Sequence, residues 1–333
     1  MPPDITVSVI IPTFNRASLL PATIDSVLAQ TCTDSEIIVV DDGSDDNTAE
    51  IVYRYTVAHG ERIRYYWQTN QGKSVALNTA LSKVRGKFIA FLDSDDCWHP
   101  DKLEWQLFVA AQLGTAYPCF TDANYTNNPH LQMTAFEFAH KHYKDEFGLI
   151  KDPTQLFLAT RSGLYMQTFV IRRDVAERVG EFDPTLLVGN DTDYLFRLSL
   201  LSPFCFVNKP LVSIDRTTNR QDGLIELITT NDPLRLKEHK YLYTKWLALT
   251  RGCSKSLRDQ LLGRLAETYN DWANWHLVNG EYDEARKALF TAVVTRFTAK
   301  ATAKLLVATL APAFARYEFR RRDKERSRRR VIA

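Results

Sequence analysis

The sequence predicts an α/β fold: a mostly parallel sheet with helices on both faces, followed by an α-helical C-terminal extension. Three observations carry this. Short runs rich in Ile and Val alternate with amphipathic helical stretches through the first third of the chain. Acidic turn sequences follow the second and fourth of those runs, where ligands bind in open α/β sheets. Beyond Asp222-Gly223 the strand pattern gives way to long helical periodicity.

The elements follow in order. Val7 to Ile11 is a β-branched run stopped by Pro12, and Leu19 to Gln30 places Leu20, Ile24, Val27 and Leu28 on one helical face. Glu36 to Val40 is a second strand, Asp46 to Ala58 a helix and Ile63 to Trp67 a third strand. Lys73 to Lys83 reads as a helix, and Phe88 to Leu92 as the strand that ends in Asp93-Ser94-Asp95-Asp96. From Tyr117 the pattern loosens, and Asn124 to Gly148 reads as one long loop. Tyr165 to Ile171 is a strand, Arg173 to Val179 and Asp191 to Leu201 are helices, and Phe204 to Val207 and Leu211 to Ile214 are two short strands. A boundary near Gly223 gives domains 1–222 and 223–333, the second helical from Pro233. Within it, Gly280 to Leu289 is similar to the second helix of a tetratricopeptide unit, but no stacked repeats accompany it.

The 333 residues are 45% hydrophobic and 25% charged, which suits a globular chain with a large core. The net charge of +2 is unevenly placed. Residues 316–330 hold nine Lys/Arg against three acids, a net of +6, which leaves the body at −4. The five cysteines are scattered without a C-x-x-C pair, which argues against a disulfide framework or zinc site and fits a reducing compartment. No signal peptide is evident, and the apolar stretch Leu305 to Ala315 is too short to span a bilayer. The expectation is a cytoplasmic protein.

The cluster Asp93, Asp95 and Asp96 is the strongest chemical signal. Carboxylates this close oppose each other's ionisation unless a cation or hydrogen-bond donors compensate. A hard divalent cation carrying a diphosphate, Mn2+ or Mg2+, is the natural compensator. A solvated loop with a helix cap at Asp101 is the ordinary alternative for Asp96 alone. The first strand ends in Pro12-Thr13-Phe14-Asn15-Arg16 and the second in Asp41-Asp42-Gly43-Ser44. Phe14 can lie against a nucleobase, Asp42 can accept from a base N–H, and Gly43 permits close approach; Asp-Gly is also ordinary turn chemistry. Gly72-Lys73-Ser74 resembles the end of a P-loop, but Trp67 stands where that loop needs glycine. The helix start there still favours an anion, with Lys73 beside it.

The ordered set Val9 to Asn15, Val39 to Ser44 and Phe91 to Asp96 resembles glycosyltransferase family 2, from about Ile5 to about Arg216. The resemblance continues in Gly180-Glu181-Phe182-Asp183 and Gly189-Asn190-Asp191-Thr192-Asp193. It implies a GT-A fold, with residues 1–115 as the nucleotide-sugar half and 116–222 as the acceptor half. It also implies inverting transfer from a nucleoside diphosphate sugar, UDP-linked by preference, to a carbohydrate or lipid-linked hydroxyl. Pro12, Thr13, Phe14, Asn15, Asp42, Gly72, Lys73, Asp93 and Ser94 would then bind donor. Asp95 and Asp93 would hold Mn2+ or Mg2+, and Asp191 would be the catalytic base. Two positions depart from the family pattern: Asn190 stands where Glu is usual before the base, and Leu77 where Arg is frequent before Asn78.

The Gln-x-x-Arg-Trp motif of processive members is absent, so single transfer is expected. A nucleotidyltransferase would need a Gly-x-Gly-x-Arg loop after the first strand, and Pro12 to Arg16 is not one. A catalytically inactive nucleotide-sugar-binding module or membrane-associated scaffold is the alternative function, yet every acid of the motifs is present. Tyr125, Phe136, Phe138 and Tyr143 offer an acceptor surface or core packing, and His140 and His142 form a weak metal pair. The basic tail suits an anionic membrane surface; without interleaved aromatics it gives no expectation of nucleic acid.

Overall fold

A computed structural model describes residues 5–113, 117–128, 132–158, 162–216 and 233–318. The chain divides into two compact units, Met1–Gln221 and Asp222–Ala333.

The N-terminal unit is built on one mixed sheet whose order is β3-β2-β1-β4-β8-β6-β9-β5, with β7 paired to β9. The first strands are β1 (Val7–Thr13), β2 (Ser35–Asp41), β3 (Ile63–Trp67) and β4 (Phe88–Phe91). They are all parallel, with β1 between β2 and β4. Every residue of β1 and β2 is buried, because helices cover both faces. These helices are α1 (Leu20–Leu28), α2 (Thr48–His59) and α3 (Lys73–Leu81). Leu20, Ile24 and Val27 of α1 enter the core with Val9, Ile11, Val39 and Leu92, as their spacing predicts.

The second half reverses direction. Strand β8 (Phe169–Arg172) runs antiparallel to β4, and β6 (Cys119–Thr126) antiparallel to β8. Strand β9 (Phe204–Asp215) is parallel to β6 and flanked by the antiparallel strands β5 (Cys97–Trp98) and β7 (Phe147–Ile150). It is one strand of twelve residues, not two short ones. Its register against β6 shifts around Asp122, opposite Pro210, so the strand passes its proline through an irregularity in the ladder. The expected loop from Asn124 to Gly148 holds the end of β6, the one-turn helix α5 (Ala135–Phe138) and the start of β7. A capping box between Thr134 and Glu137 closes that turn. Before β8, Met166–Thr168 is a 3-10 turn where a longer strand was expected.

These directions place one row of chain ends along a single sheet edge. The carboxyl ends of β1, β2 and β4, the entry to β8, and the ends of β6 and β9 all lie there. Helix α4 (Lys102–Leu113) packs beside β9 and β6. The remaining helices of this unit are α6 (Gln155–Leu158), α7 (Arg173–Val179) and α8 (Asn190–Leu201).

The C-terminal unit is helical in its described residues: Pro233–Leu249, Lys255–Asn279, Tyr282–Thr295 and Ala299–Leu310. Gly280, at φ 84°, ends the second helix in the left-handed conformation that glycine adopts at least cost. Ala273, Leu277, Ala285, Leu289 and Ala308 form its core. Among the described residues no helix is long and apolar enough to cross a membrane. Residues 319–330 of the basic tail lie outside the described residues.

One buried cation stands out. Lys102 is fully buried, donates to Gln106 Oε1 at 2.7 Å, and lies 4.0 Å from the Trp98 ring centroid. Burial pushes its pKa down to about 7. In the unfolded chain a lysine titrates near about 10.4. Between these values the unfolded chain binds the extra proton, so native stability rises with pH across that window. Lys102→Met is expected to raise the thermal midpoint at pH 7 and to flatten this gain, read by melts at pH 7 and pH 9. A wild-type midpoint that does not change relative to Lys102→Met over this range would refute the account.

Candidate active site

The sheet edge gathers the motifs. Asp42 is buried at the end of β2, and its carboxylate accepts from three donors: Gln68 Nε2 at 2.7 Å, Gln71 N at 2.9 Å and Gly72 N at 2.7 Å. It therefore ties the turn before α3 to β2. Neighbouring Asp41 accepts from Ser44 N and from the Tyr65 hydroxyl. Gly43, at φ 84°, could not be replaced without strain, since a Cβ would stand 2.8 Å from Asn70 N. Asn15, also at positive φ, donates its N–H to Ser44 Oγ and accepts from Asp45 N, joining the β1 and β2 turns. Pro12 and Thr13 are buried in β1, with Thr13 Oγ1 lacking a hydrogen-bond partner, while Phe14 is 44% exposed beside them.

After β4, Asp93, Asp95 and Asp96 each offer a carboxylate oxygen within 4.8 Å of the others. Asp96 is buried and accepts from Gln167 Nε2 at 2.6 Å and Asp215 N at 2.8 Å. Burial, then the charges of Asp93 and Asp95, raise its pKa well above the usual carboxylate range. Ser94 is buried between Asp93 and Asp95. Asp93 and Asp95 are partly exposed, so they are the members able to meet a ligand.

Lys73 links the acid cluster after β4 to the first turn of α8. Its Nζ lies 2.7 Å from Asp93 Oδ1 and 3.4 Å from Asp191 Oδ2. Burial opposes its charge, but the Asp191 and Asp93 carboxylates prevail and raise its pKa. Asp191 stands in the first turn of α8, with Oδ1 buried and without a hydrogen-bond partner. Burial and the nearby Asp93 raise its pKa despite Lys73. The sequence thus separates these acids by about a hundred positions, and the fold brings them to one ammonium group.

Two departures acquire structural meaning. Asn190 is buried; its Oδ1 accepts from Asp191 N at 2.8 Å and its Nδ2 donates to Ser74 Oγ at 3.2 Å. Leu77 is a core residue of α3. Its neighbour Asn78 clamps the segment before α8: Nδ2 donates to Phe182 O at 2.9 Å, and Oδ1 accepts from Phe182 N at 2.7 Å. Sequence reasoning assigned no role to Gln167, because nothing local marks a residue that reaches 71 positions back to Asp96.

The aromatic surface is only partly as expected. Phe136 is buried against Phe120 and Tyr143, and Tyr143 stacks on Phe206 with centroids 3.9 Å apart, so these two fill the core. Tyr125 instead meets Tyr165 and Phe138 near the edge. His140 and His142 belong to no metal-binding group among the described residues; only the three acids do.

The α/β sheet gathers these acids at one edge, and comparison with known proteins gives the family. The model of the family described as "Glycosyl transferase family 2" matches residues 8–180. The chain belongs to glycosyl transferase family 2 and is a glycosyltransferase with the GT-A fold. It is similar to the UDP-Glc:alpha-D-GlcNAc-diphosphoundecaprenol beta-1,3-glucosyltransferase WfgD of Escherichia coli, 44% identical over 107 residues, 31% of this chain and 40% of that protein. Among solved structures it resembles Staphylococcus aureus TarS 1–349 in complex with UDP-GlcNAc, at TM-score 0.69 and 16% identity over 96% of this chain and 92% of that one. It also resembles the mannosyltransferase PcManGT of Pyrobaculum calidifontis in complex with GDP-Man and Mn2+, at TM-score 0.56 and 20% identity over 94% and 81%.

The Asn78 clamp yields a stability test. Asn78→Ala leaves the Phe182 N–H and C=O without their partners, which is expected to cost about 1–3 kcal/mol. Urea denaturation measures it; a loss under about 0.5 kcal/mol, the level of an ordinary surface change, would mean that water replaces the clamp.

Proposed function

We propose that the chain transfers one sugar, with inversion, from a UDP-linked donor to an acceptor hydroxyl, in a metal-dependent reaction serving glycan, polysaccharide or glycolipid synthesis. The observation that carries this is Lys73, which draws Asp93 of the acid cluster and Asp191 of α8 to one point. A donor diphosphate held at the acids therefore lies beside a candidate base.

The nucleoside side follows from the β1–β2 edge. Phe14 presents an exposed ring on which a base can stack. Asp42 keeps acceptor capacity beyond its three donors, suited to a pyrimidine N–H. Thr13 and Asn15 line the same turn, and Gly72 and Lys73 open α3 toward the phosphates. The acid cluster fits a hard divalent cation, Mn2+ or Mg2+: its oxygens lie within 4.8 Å of one another and Asp96 is already committed to N–H donors. Asp95 and Asp93 would hold the cation, with Ser94 in the turn between them. When bound, the cation neutralises charge that develops on the departing diphosphate.

Asp191 accepts the proton of the acceptor hydroxyl as that oxygen attacks the anomeric carbon. One displacement from the opposite face inverts the configuration. Its raised proton affinity strengthens it as a base, and Lys73 keeps it ionised and oriented. The nucleotide sugars named with TarS and PcManGT, and the lipid-diphosphate-linked acceptor named for WfgD, support these substrate classes.

Transfer and donor binding separate the roles. Asp191→Asn is expected to lower transfer by about 100-fold or more while UDP affinity in Mn2+, read by calorimetry, stays unchanged. Asp95→Asn is expected to lose the Mn2+-dependent part of UDP binding. Binding of UDP that ignores chelator would refute the metal role, and parent-level transfer by Asp191→Asn would move the base elsewhere.

We further propose a peripheral location on the cytoplasmic face of a membrane, a reading that the C-terminal unit supports. Phe290, Val294, Phe297, Leu306, Leu310 and Phe314 are each more than half exposed. The residues that follow carry the net +6. An apolar surface beside a basic segment suits an anionic leaflet, where each cation adds about 1 kcal/mol. The full chain is expected to sediment with anionic but not neutral vesicles, and to release at high salt or after truncation beyond Ala303. Indifference to anionic vesicles at low salt would remove this part of the reading.

A further inference from the structure

We propose that Arg216, framed by Tyr125 and Tyr165, forms a subsite for a phosphoryl group carried by the acceptor. This rests on the reading above that transfer takes place at Asp93, Asp95 and Asp191. The guanidinium carbon lies 5.7 Å from the Tyr125 ring centroid and 5.2 Å from that of Tyr165. The two phenols are joined by a hydrogen bond of 2.8 Å, and their rings meet edge to face at 90°. The pair is therefore a fixed aromatic frame. Cation–π contact uses the face of the planar guanidinium and leaves its N–H edge for a ligand.

That edge is unused. Arg216 donates its backbone N–H to Thr126 O at 2.9 Å, but among the described residues nothing accepts from its guanidinium. Two acids of the same strands and turns have donors of their own. Asp96 accepts from Gln167 and Asp215 N, and Asp122 from Ala123 N and Phe136 N. Five donors, full charge and no acceptor atom match a phosphoryl group, bidentate, better than a neutral sugar hydroxyl.

Position assigns this group to the acceptor. Asp42 and Phe14 lie at the β1–β2 side of the edge, and the acid cluster follows β4. Tyr165, Tyr125 and Arg216 lie beyond it, at the entry to β8 and the ends of β6 and β9. The acids stand between nucleotide and cradle. They are also physically tied to it: Asp215 N, one residue before Arg216, donates to Asp96, and so does Gln167, two residues after Tyr165. An acceptor read here by its phosphoryl group places its sugar near the reacting centre.

The test uses the full chain with Mg2+ and UDP. N-acetylglucosamine 1-phosphate and the neutral methyl N-acetylglucosaminide are titrated by calorimetry, each against wild type, Arg216→Gln and Arg216→Lys. Wild type is expected to prefer the phosphate probe. Arg216→Gln should weaken that probe about 10-fold or more, leave the neutral probe and UDP unchanged, and melt as wild type does. Arg216→Lys keeps charge without the fork and should fall between, which preserves the test if the Gln variant does not fold. A prenyl-diphosphate-linked N-acetylglucosamine in detergent forms a second arm. Equal losses on both arms mean that the headgroup phosphate is read, and a loss on the soluble arm alone would overturn an acceptor role for lipid-linked substrates. Unchanged affinity for the phosphate probe would overturn the proposal, as would an equal loss for UDP, which would make Arg216 a donor residue. Wild type that binds UDP but not the phosphate probe refutes this subsite alone; wild type that does not bind UDP refutes the donor reading itself.

Discussion

The crowding of carboxylates along one sheet edge is the constraint on which the rest of the site depends. Asp41, Asp42, Asp93, Asp95, Asp96 and Asp191 converge there because parallel strands align their ends. Buried acids at such spacing repel unless each has its own compensation. The fold meets this in two ways. Asp41, Asp42 and Asp96 accept from N–H and O–H donors and become structural ties between turns, with acceptor capacity left on Asp42. Asp93 and Asp191 share one cation, Lys73. The donor-bound acids tie the turns of the edge together, and the ammonium-paired ones join α3 to the acid cluster and to α8.

The same distinction explains what the sequence revealed. In the first half, β1 and β2 are runs rich in Val and Ile that are buried throughout, so strand and turn are written locally. Val7 to Ile11 and Glu36 to Val40 fall within β1 and β2 for that reason. The second half is set by pairings across long separations. β9 reads as two strands because Pro210 interrupts its pattern, yet its ladder with β6 continues through a register shift. Helix α5 is a single turn whose signal is a capping box, too short for any periodicity. Phe136 and Tyr143 suit an acceptor surface or a core equally by composition, and only the fold packs them against Phe120 and Phe206.

Site legibility followed the same line. The acids were visible as motifs at strand ends, but their partners were not. Gln167, Ser74 and the Phe182 backbone act through contacts that span 71 to 116 positions, and no local pattern announces them. Lys73 was visible only as a lysine at a helix start. Its contact with both Asp93 and Asp191 depends on the first turns of α3 and α8 meeting, and the Ser74–Asn190 bond joins those turns while Asn78 ties α3 to Phe182 in the segment before α8.

Asn190 shows how a departure from the family pattern can be consistent with the rest of the site. A carboxylate at this buried position would add another negative charge beside Asp191, which burial already pushes toward protonation. It could also only accept hydrogen bonds. The amide does both jobs: it accepts from Asp191 N and donates to Ser74 Oγ, whose hydroxyl proton in turn goes to Leu186 O at 3.3 Å. A chain of neutral groups thus orients the first turn of α8 without changing the charge around Asp191. The charge that acts on Asp191 then comes from Lys73 and from Asp93, itself a member of the acid cluster, so the proton affinity of Asp191 is coupled to the charge of that cluster.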